Sequence, residues 1–182
     1  DQACGTGGML STAYEHLRHL NPGADIRLFG QEVMDQSYAV GFAEMLIKGQ
    51  DTSHFRKENT LKHDCFPDTK MRFLLENPPF GTPYKGQNAK GEQYAAVLRE
   101  HAKGATSRWP AGLPAGGDSQ LLFMQSAVHK MDAKRGRAAI ITNGSPLFNG
   151  GTSSGESQIR RWLLENDLIE AIIAMPTDLF YN

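Results

Sequence analysis

The sequence has few cysteines, no surplus of charge and no long apolar run. Its only thiols are Cys4 and Cys65, too few for a disulfide framework, so we expect reduced thiols in a cytoplasmic protein. No apolar run approaches the roughly 20 residues of a membrane span, and no signal peptide opens the chain. The composition therefore predicts a protein that makes no use of a membrane.

The charge balance excludes one way of binding nucleic acid. The formal net charge is −1, which is not the charge of a protein that holds DNA through phosphates unaided. Any such contact needs a local patch or a partner. Hydrophobic residues make up 40% and charged residues 21% of the 182 residues, which suits one domain with a buried core. Because the first residue is Asp1 and a motif begins there, we expect a piece of a longer polypeptide, truncated at both ends.

Helical spacing alternates with short apolar runs along the chain. Apolar residues share a helical face from Leu10 to Leu17, Tyr38 to Leu46, Leu121 to Met131 and Ile159 to Leu163. Strands are predicted at Ile26 to Phe29, Leu61 to Asp64, Met71 to Leu75, Ala138 to Thr142 and Leu168 to Met175, the last two buried. This alternation predicts an α/β fold with a mostly parallel sheet and helices on both faces, whose ligand lies at the carboxyl ends of the strands.

Two polar stretches interrupt the pattern. Residues 81–117 are rich in Gly and Pro and have no sustained period, which is typical of a functional or disordered loop. Residues 143–155 form a second polar loop, and Ser153 and Glu156 have the spacing of a capping box at the start of the last helix.

A glycine-rich run opens the chain directly before an amphipathic helix. Glycines in Asp1 to Gly8 permit positive φ and close approach of a ligand, and Glu32 follows the next strand, where a carboxylate can accept the ribose hydroxyls of a nucleoside. Alone, the turn is as compatible with a simple strand-to-helix connection as with a ligand. Leu10 stands where the nicotinamide fingerprint has its third glycine. S-adenosylmethionine has no phosphates and needs only the turn, and Asp1 suits its positively charged end.

The tetrapeptide Asn77-Pro78-Pro79-Phe80 ends the strand that begins at Met71. Two prolines stop a strand and hold an extended backbone rigid. The Asn77 side-chain oxygen and the Pro78 carbonyl can then accept both hydrogens of one amino group, while Phe80 stacks on a planar base. A strand end followed by a core phenylalanine is the other interpretation.

Together, the two motifs resemble those of the adenine-N6 DNA methyltransferases. Further stretches are similar to the modification subunit of type I restriction-modification systems: Gly30-Gln31-Glu32, Ala111 to Pro114, Asp118 to Phe123, Asn143 to Phe148, Ile159 to Trp162 and Met175 to Asn182. Two positions depart from that family. Gln2 replaces its usual proline, and His63-Asp64-Cys65 stands where Gly-Asp and a small residue are usual.

The resemblance implies a Rossmann-like class I methyltransferase that uses S-adenosylmethionine and no metal. Residues 1–76 would be the cofactor-binding half and 77–182 the catalytic half. The implied cofactor site comprises Asp1, Ala3, Cys4, Gly5, Thr6, Gly7, Gly8, Glu32, Asp64, Cys65 and Asn77, with Asp64 bonded to the adenine amino group. The implied catalytic residues are Asn77, Pro78, Pro79 and Phe80. The implied partners are DNA, a specificity subunit and a restriction subunit in one complex.

Other interpretations remain open on the sequence alone. Related Asn-Pro-Pro motifs, usually ending in Tyr, serve methyltransferases of protein glutamine or RNA, and the chain could also be a non-catalytic assembly fragment. Basic residues that could contact DNA lie in the 81–117 stretch: Lys85, Lys90, Arg99, Lys103 and Arg108. The cluster Lys134 to Arg137 is better interpreted as a solvated helix end.

Overall fold

A computed structural model describes residues 1–86 and 91–176 of the chain. Six helices and four strands alternate there in the order α1 (Gly8–Leu20), β1 (Gly30–Glu32), α2 (Asp35–Ile47), β2 (Phe55–Lys57), β3 (Phe73–Glu76), α3 (Gly91–His101), α4 (Gln120–Lys130), β4 (Arg137–Ile140), α5 (Ser145–Phe148) and α6 (Gly155–Glu165). A 3-10 turn at Gly104–Thr106 follows α3. The predicted α/β class is confirmed.

All strand pairs in the described residues are parallel. β1 pairs with β2, with Gly30 opposite Phe55, and β3 pairs with β4, with Phe73 opposite Arg137. The strands form two separate pairs where one sheet was expected. The segment from Asp1 to Cys4 fills the space between them. It forms backbone hydrogen bonds to Gln31 of β1 but contacts β3 through side chains.

The first two helices begin and end where the sequence predicts. Gly7 precedes α1 with φ of 75°, and Asn21 ends the helix with its N–H bonded to the Leu17 carbonyl. α2 ends at Ile47 with Lys48 as its cap, followed by Gly49, whose φ is 65°. A glycine in the left-handed conformation directly after a helix lets the chain bond to the last helical carbonyl groups without a steric penalty. The glycine at this position therefore predicted the end of the helix correctly.

Two strand predictions were wrong near the glycine-rich turn. The strand predicted at Ile26 to Phe29 begins only at Gly30, because the pairing with β2 starts there; Phe29 instead stacks on His54 with ring centroids 4.3 Å apart. Leu61 to Asp64 form a turn, in which Asn59 accepts backbone hydrogen bonds from Lys62 and His63. The true partner strand, β2, is mainly polar and was missed.

The 81–117 stretch is not one structureless loop. It contains α3, whose Val97 is buried, and Trp109, which is fully buried and donates its indole N–H to the Leu122 carbonyl at 2.9 Å. The Tyr84 hydroxyl donates to the Pro114 carbonyl. Residues 87–90, including Lys90, lie outside the described residues.

The second polar stretch, 143–155, was also only partly a loop, since it contains the short helix α5. The cap of α6 is Ser154, whose hydroxyl accepts the Ser157 N–H, and not Ser153 as predicted. Glu156 instead accepts the Ala115 N–H at 2.6 Å, so it joins α6 to the loop after Trp109.

The last two strand predictions fare differently. β4 overlaps the predicted Ala138 to Thr142 but begins one residue earlier, and residues 137–139 are exposed, so the prediction of a buried strand was wrong. Residues 168–176 form no strand and expose Ile172 and Ile173. The segment has no strand partner in the described chain, and backbone groups become a strand only when a neighbouring strand pairs with them. Its contact with β4 is the exposed Arg137–Glu170 ion pair.

Three apolar clusters support these elements. The first joins α1 and α2 to β2 through Cys4, Leu10, Met45 and Phe55. The second joins α3 and α4 through Leu61, Tyr84, Val97, Trp109, Leu122 and Phe123. The third joins α4 and α6 through Leu121, Ile159 and Leu163. No helix in the described ranges is long and apolar enough to span a membrane.

Candidate active site

The glycine-rich run forms a tight turn between the segment beside β1 and helix α1. Asp1 accepts the Ala3 N–H on its side chain at 3.0 Å, and the Gly7 N–H bonds to the Cys4 carbonyl at 2.7 Å. Gly5 has φ of 55° and Gly7 has φ of 75°, a backbone conformation that side chains rarely adopt. The turn therefore requires glycine at these two positions, as the sequence predicts.

Glu32 closes the turn from the end of β1. Its two carboxylate oxygens accept the Gly5 N–H at 2.8 Å and the Met34 N–H at 2.7 Å, and the residue is buried. A carboxylate has about four acceptor positions. Two bonds hold Glu32 in place, and the remaining capacity suits the paired hydroxyls of a ribose.

Helix α2 approaches the turn through a glycine that the sequence analysis missed. A Cβ at Gly41 would lie 2.7 Å from the Thr6 carbonyl oxygen and 3.0 Å from the Phe55 ring. Any side chain there would push the turn away from the helix. A glycine inside an otherwise regular helical pattern is the signal that could have identified this position.

The other predicted residues of the turn contribute through the backbone. The Cys4 thiol is buried in the cluster with Met45 and donates to the Gln31 carbonyl at 3.2 Å. Burial raises the pKa of this thiol to about 12, so it is an inert core group. Ala3 packs against the Trp109 cluster, and Thr6 and Gly8 are exposed on the turn.

Asp64 lies in an unexpected environment. One oxygen accepts the Phe66 N–H at 2.8 Å, and the other is 2.6 Å from the Lys130 ammonium. Lys130 ends α4 next to Met71, at the amino end of β3, and also donates to the Phe66 carbonyl. Burial lowers the pKa of Lys130, while Asp64 opposes that shift. The carboxylate therefore forms an ion pair at the amino end of β3, in a small cavity that Asp1, Gln2 and Gln31 also line.

The residues before Asp64 are nearer to Glu32. The Glu58 N–H donates to the Glu32 carbonyl at 3.0 Å, so residues 58–60 begin at the end of β1. Asn59 is held there by Gln93 of α3, which accepts its amide at 2.7 Å. Cys65, also predicted for the cofactor site, donates its N–H to the Gln31 side chain, and burial raises the pKa of its thiol.

The tetrapeptide follows β3 directly. β3 ends at Glu76, whose carbonyl accepts the Ile141 N–H at 2.8 Å. Pro78 is buried, Phe80 is half-buried and Pro79 is exposed. The Asn77 Oδ1 atom is buried and has no hydrogen-bond partner within the described parts of the chain. A buried acceptor without a donor is costly, and a ligand amino group would satisfy it.

Side chains connect the turn to the tetrapeptide. The Gln2 amide donates to the Glu76 carboxyl at 2.6 Å, so the residue after Asp1 contacts the residue before Asn77. The structure thus brings the two predicted motifs to one end of the strands, as the resemblance implied. Glu76 and Gln2 were not predicted to face each other.

The basic residues of the 81–117 stretch have different environments. Arg108 is buried, donates to the Thr60 carbonyl at 2.8 Å and lies over the Trp109 ring, so it is not on the surface that this stretch could offer to DNA. Lys103 pairs with Glu100, and Lys85 lies over the Tyr94 ring. Arg99 is exposed. The patch is smaller than the sequence indicated.

Comparisons with known proteins agree with this geometry. The model of the family described as N-6 DNA Methylase matches residues 1–182. The chain is 26% identical over its whole length to the Type I restriction enzyme MjaIX methylase subunit of Methanocaldococcus jannaschii, and 27% identical to the HindI methylase subunit of Haemophilus influenzae. It covers 31% and 38% of those two proteins, so it spans about a third of their length.

Solved structures show the same fold. A type I restriction-modification methyltransferase subunit from Streptococcus thermophilus superposes with a TM-score of 0.71 at 21% identity, over 90% of this chain and 32% of that one. A modification subunit of a putative type I restriction enzyme from Vibrio vulnificus gives 0.64 at 22% identity, over 90% and 33%. The resemblance inferred from the motifs is confirmed: the chain belongs to the N-6 DNA methylase family.

Proposed function

We propose that this chain transfers a methyl group from S-adenosylmethionine to the N6 amino group of adenine in DNA. The observation that carries the proposal is the Asn77 Oδ1 atom, a buried acceptor without a donor in the described residues. It directly follows the residue that contacts the glycine-rich turn. A methyl donor at the turn and an amino group at Asn77 would therefore be neighbours.

The turn suits S-adenosylmethionine by its chemistry. Two glycines with positive φ carry no side chain that would keep a ligand from the backbone, and Glu32 has spare acceptor positions for hydroxyl groups. The sequence contains no Gly-Lys pair of the kind that binds phosphate. When bound, the cofactor supplies a methyl group on a positively charged sulfur. Asp1 and Glu32 would hold its two polar ends.

The adenine end of the cofactor has a revised candidate. Asp64 was predicted for this role, but the Lys130 ammonium 2.6 Å away neutralises its charge, whereas Glu32 bonds only to backbone N–H groups. Asn59 adjoins Glu58, whose N–H bonds to the Glu32 carbonyl. We therefore assign the contact with the adenine ring to residues 58–60 and leave Asp64 to the fold.

The residues of the tetrapeptide would act on the substrate base. Asn77 and the Pro78 carbonyl would accept hydrogen bonds from its amino group, which stabilises the positive charge that develops on nitrogen. Phe80 would stack on the base after it leaves the duplex. No side chain needs to become a nucleophile, because the reaction is a displacement between two positioned groups.

The partners follow from the names of the relatives and from the charge. The similar proteins are methylase subunits of restriction enzymes, and a net charge of −1 provides no general attraction to phosphates. We infer that a specificity subunit reads the DNA sequence and that a restriction subunit joins the complex. These names favour DNA over glutamine or RNA as the substrate and an enzyme over an assembly fragment.

The test is methyl transfer by the natural full-length protein with the subunits encoded beside it. Tritiated S-adenosylmethionine and DNA should give labelled N6-methyladenine, identified by mass spectrometry of nucleosides. Asn77→Ala should reduce turnover about a thousandfold, in the range seen when one donor or acceptor to the transition state is lost, while cofactor affinity changes little. Label in protein or RNA, or an active Asn77→Ala variant, would contradict the proposal.

A further inference from the structure

A buried chain of hydrogen bonds runs from α4 through the turn to β3. The Ser126 hydroxyl donates to the Gln2 side-chain oxygen at 2.5 Å, and the Gln2 amide donates to one Glu76 oxygen at 2.6 Å. Thr60 donates to the Gln2 backbone carbonyl. Ser126 is fully buried, and Glu76 is 1% exposed. Both ends of the Gln2 amide are thus committed inside the protein.

This chain joins two segments that the backbone leaves unconnected. Residues 1–4 form backbone hydrogen bonds to β1, and none to β3 occurs in the residues the structure describes. Gln2 lies between Asp1 and Ala3 of the turn, and Glu76 directly precedes Asn77. The position of the tetrapeptide relative to the turn is therefore set by a side-chain contact.

The same contact accounts for the departure at Gln2. The family that the motifs resemble usually has proline there, and proline offers no side-chain donor. Glu76 is a buried carboxyl, and a buried acceptor without a partner is expensive. Its other oxygen, Oε2, is buried without a partner in the described residues. Within these residues, Gln2 thus provides the hydrogen bond to the only Glu76 oxygen that has a partner.

We propose that Gln2 and Glu76 form a clamp that sets the position of Asn77 relative to the cofactor turn, so that both are positioning residues for methyl transfer. Neither residue touches substrate or cofactor in this assignment. The inference rests on the proposed function. Because methyl transfer requires close alignment of the reacting groups, a small shift of Asn77 lowers the rate of the chemical step more than it lowers binding.

The experiment measures single-turnover methyl transfer at saturating cofactor and DNA in the natural full-length protein with its subunits. Glu76→Met removes the acceptor at similar volume and should slow the step roughly ten- to a hundredfold, with cofactor affinity within about threefold of the wild type. Glu76→Gln keeps an acceptor for Gln2 and should recover most of the rate. Gln2→Met should slow the step as Glu76→Met does, and the double variant should be no slower than either single variant.

Gln125→Met is the matched control. Gln125 is fully buried in α4 next to Ser126, but its amide holds the loop at Ala111 and Gly112. It should lower thermal stability without slowing the single-turnover step at a temperature where the protein is folded. If Glu76→Met does not fold, Ser126→Ala replaces it, since it loosens Gln2 but leaves Glu76 paired; a fall of about threefold or more is expected.

The outcomes separate the two proposals. An active wild type whose Glu76→Met, Gln2→Met and Ser126→Ala variants keep the wild-type rate would overturn the clamp and leave the function standing. A slowed Gln125→Met variant would also overturn it, because any loss of stability would then have the same effect. A wild type that methylates no DNA would refute the proposed function itself.

Discussion

The two ends of the parallel strands carry buried polar groups of opposite character. At the carboxyl end, beside Glu76, Asn77 Oδ1 and Glu76 Oε2 lack partners in the described chain. At the amino end, beside Met71, the buried Lys130 and the largely buried Asp64 pair with each other, and they bond to the Phe66 carbonyl and N–H respectively. Both sets are ionisable or amide groups, and the sequence alone does not distinguish them.

The difference indicates which buried polar groups of this fold serve stability and which serve the proposed function. A buried polar atom without a partner costs free energy, so it persists where a ligand completes it or where a neighbouring residue depends on it. A buried pair whose members satisfy each other serves the fold. On this argument, the amino end stabilises the fold, and the carboxyl end is the proposed site of methyl transfer.

The largest expected effect comes from breaking the pair at the amino end. Lys130→Met would leave the largely buried Asp64 charge without its cation, and breaking a buried pair typically costs about 3–5 kcal/mol. The thermal unfolding midpoint should fall strongly, while methyl transfer at a low, permissive temperature should remain. Lys134→Met, an exposed lysine of the turn after α4, is the control and should leave the midpoint unchanged.

A double variant tests the cause of that loss. Lys130→Met with Asp64→Leu replaces the pair by apolar groups and should recover part of the stability. If the single Lys130→Met variant is as stable as the wild type, the pair does not stabilise the fold. If it folds normally but no longer binds cofactor, the division between the two ends is wrong.

The second prediction concerns Glu76 and pH. Burial raises the pKa of this carboxyl from 4.5 to about 7, against the opposing effects of the Asp1 ammonium and of the Gln2 hydrogen bond. The folded state therefore favours the neutral acid. The contribution of Glu76 to the free energy of unfolding is fully present below pH ~4.5. It is lost as pH rises to about 7, which lowers the free energy of unfolding by about 3 kcal/mol in total.

Glu76→Gln isolates this effect because its side chain does not titrate there. Between pH 5 and pH 8, the unfolding midpoint of the variant should rise relative to that of the wild type, since only the wild type loses stability at Glu76. A difference between the two midpoints that stays constant with pH would show that Glu76 has an ordinary pKa in the folded protein.

The third prediction tests the free acceptor capacity at Glu32. Glu32→Ala should weaken S-adenosylmethionine binding by about 1–3 kcal/mol, measured by calorimetry, because hydroxyl groups of the ligand would lose their acceptors. Asp35→Ala removes an exposed carboxylate three residues later that pairs with Lys57, and it should leave the affinity unchanged. Equal affinity of Glu32→Ala and wild type would remove Glu32 from the site.

The sequence predicted the motifs and the helices better than the strands. Gly5, Gly7, Pro78 and Pro79 restrict the backbone locally, so their positions follow from their own chemistry. Helix ends at Asn21 and Lys48 followed from local signals in the same way. The short strands did not, because β2 is mainly polar and pairing partners determine where β1 begins.

The roles of single polar residues were least predictable. The resemblance implied that Asp64 bonds the adenine of the cofactor, and the sequence did not indicate that α4 brings Lys130 to it from 66 residues further along the chain. The contacts of Gln2 with Glu76 and Ser126 also join distant segments. Such pairs depend on tertiary structure, and no spacing in the sequence encodes them.

The smallest expected effect concerns the basic cluster Lys134 to Arg137, which the sequence placed at a solvated helix end. Its backbone N–H groups at Lys134 and Arg135 bond to the Asp132 carboxylate, and hydrogen bonds from Arg135 and Lys134 lower the pKa of Asp132. The cluster leads into β4, which begins at Arg137, and lies at the amino end of the strands. Arg135→Ala should therefore change DNA affinity and its salt dependence less than twofold in the natural complex. If Arg135 contacts a phosphate, the variant's slope of log affinity against log salt should instead be smaller than that of the wild type by about one. That result would show a DNA contact at the amino end of the strands, which is assigned here to stability alone.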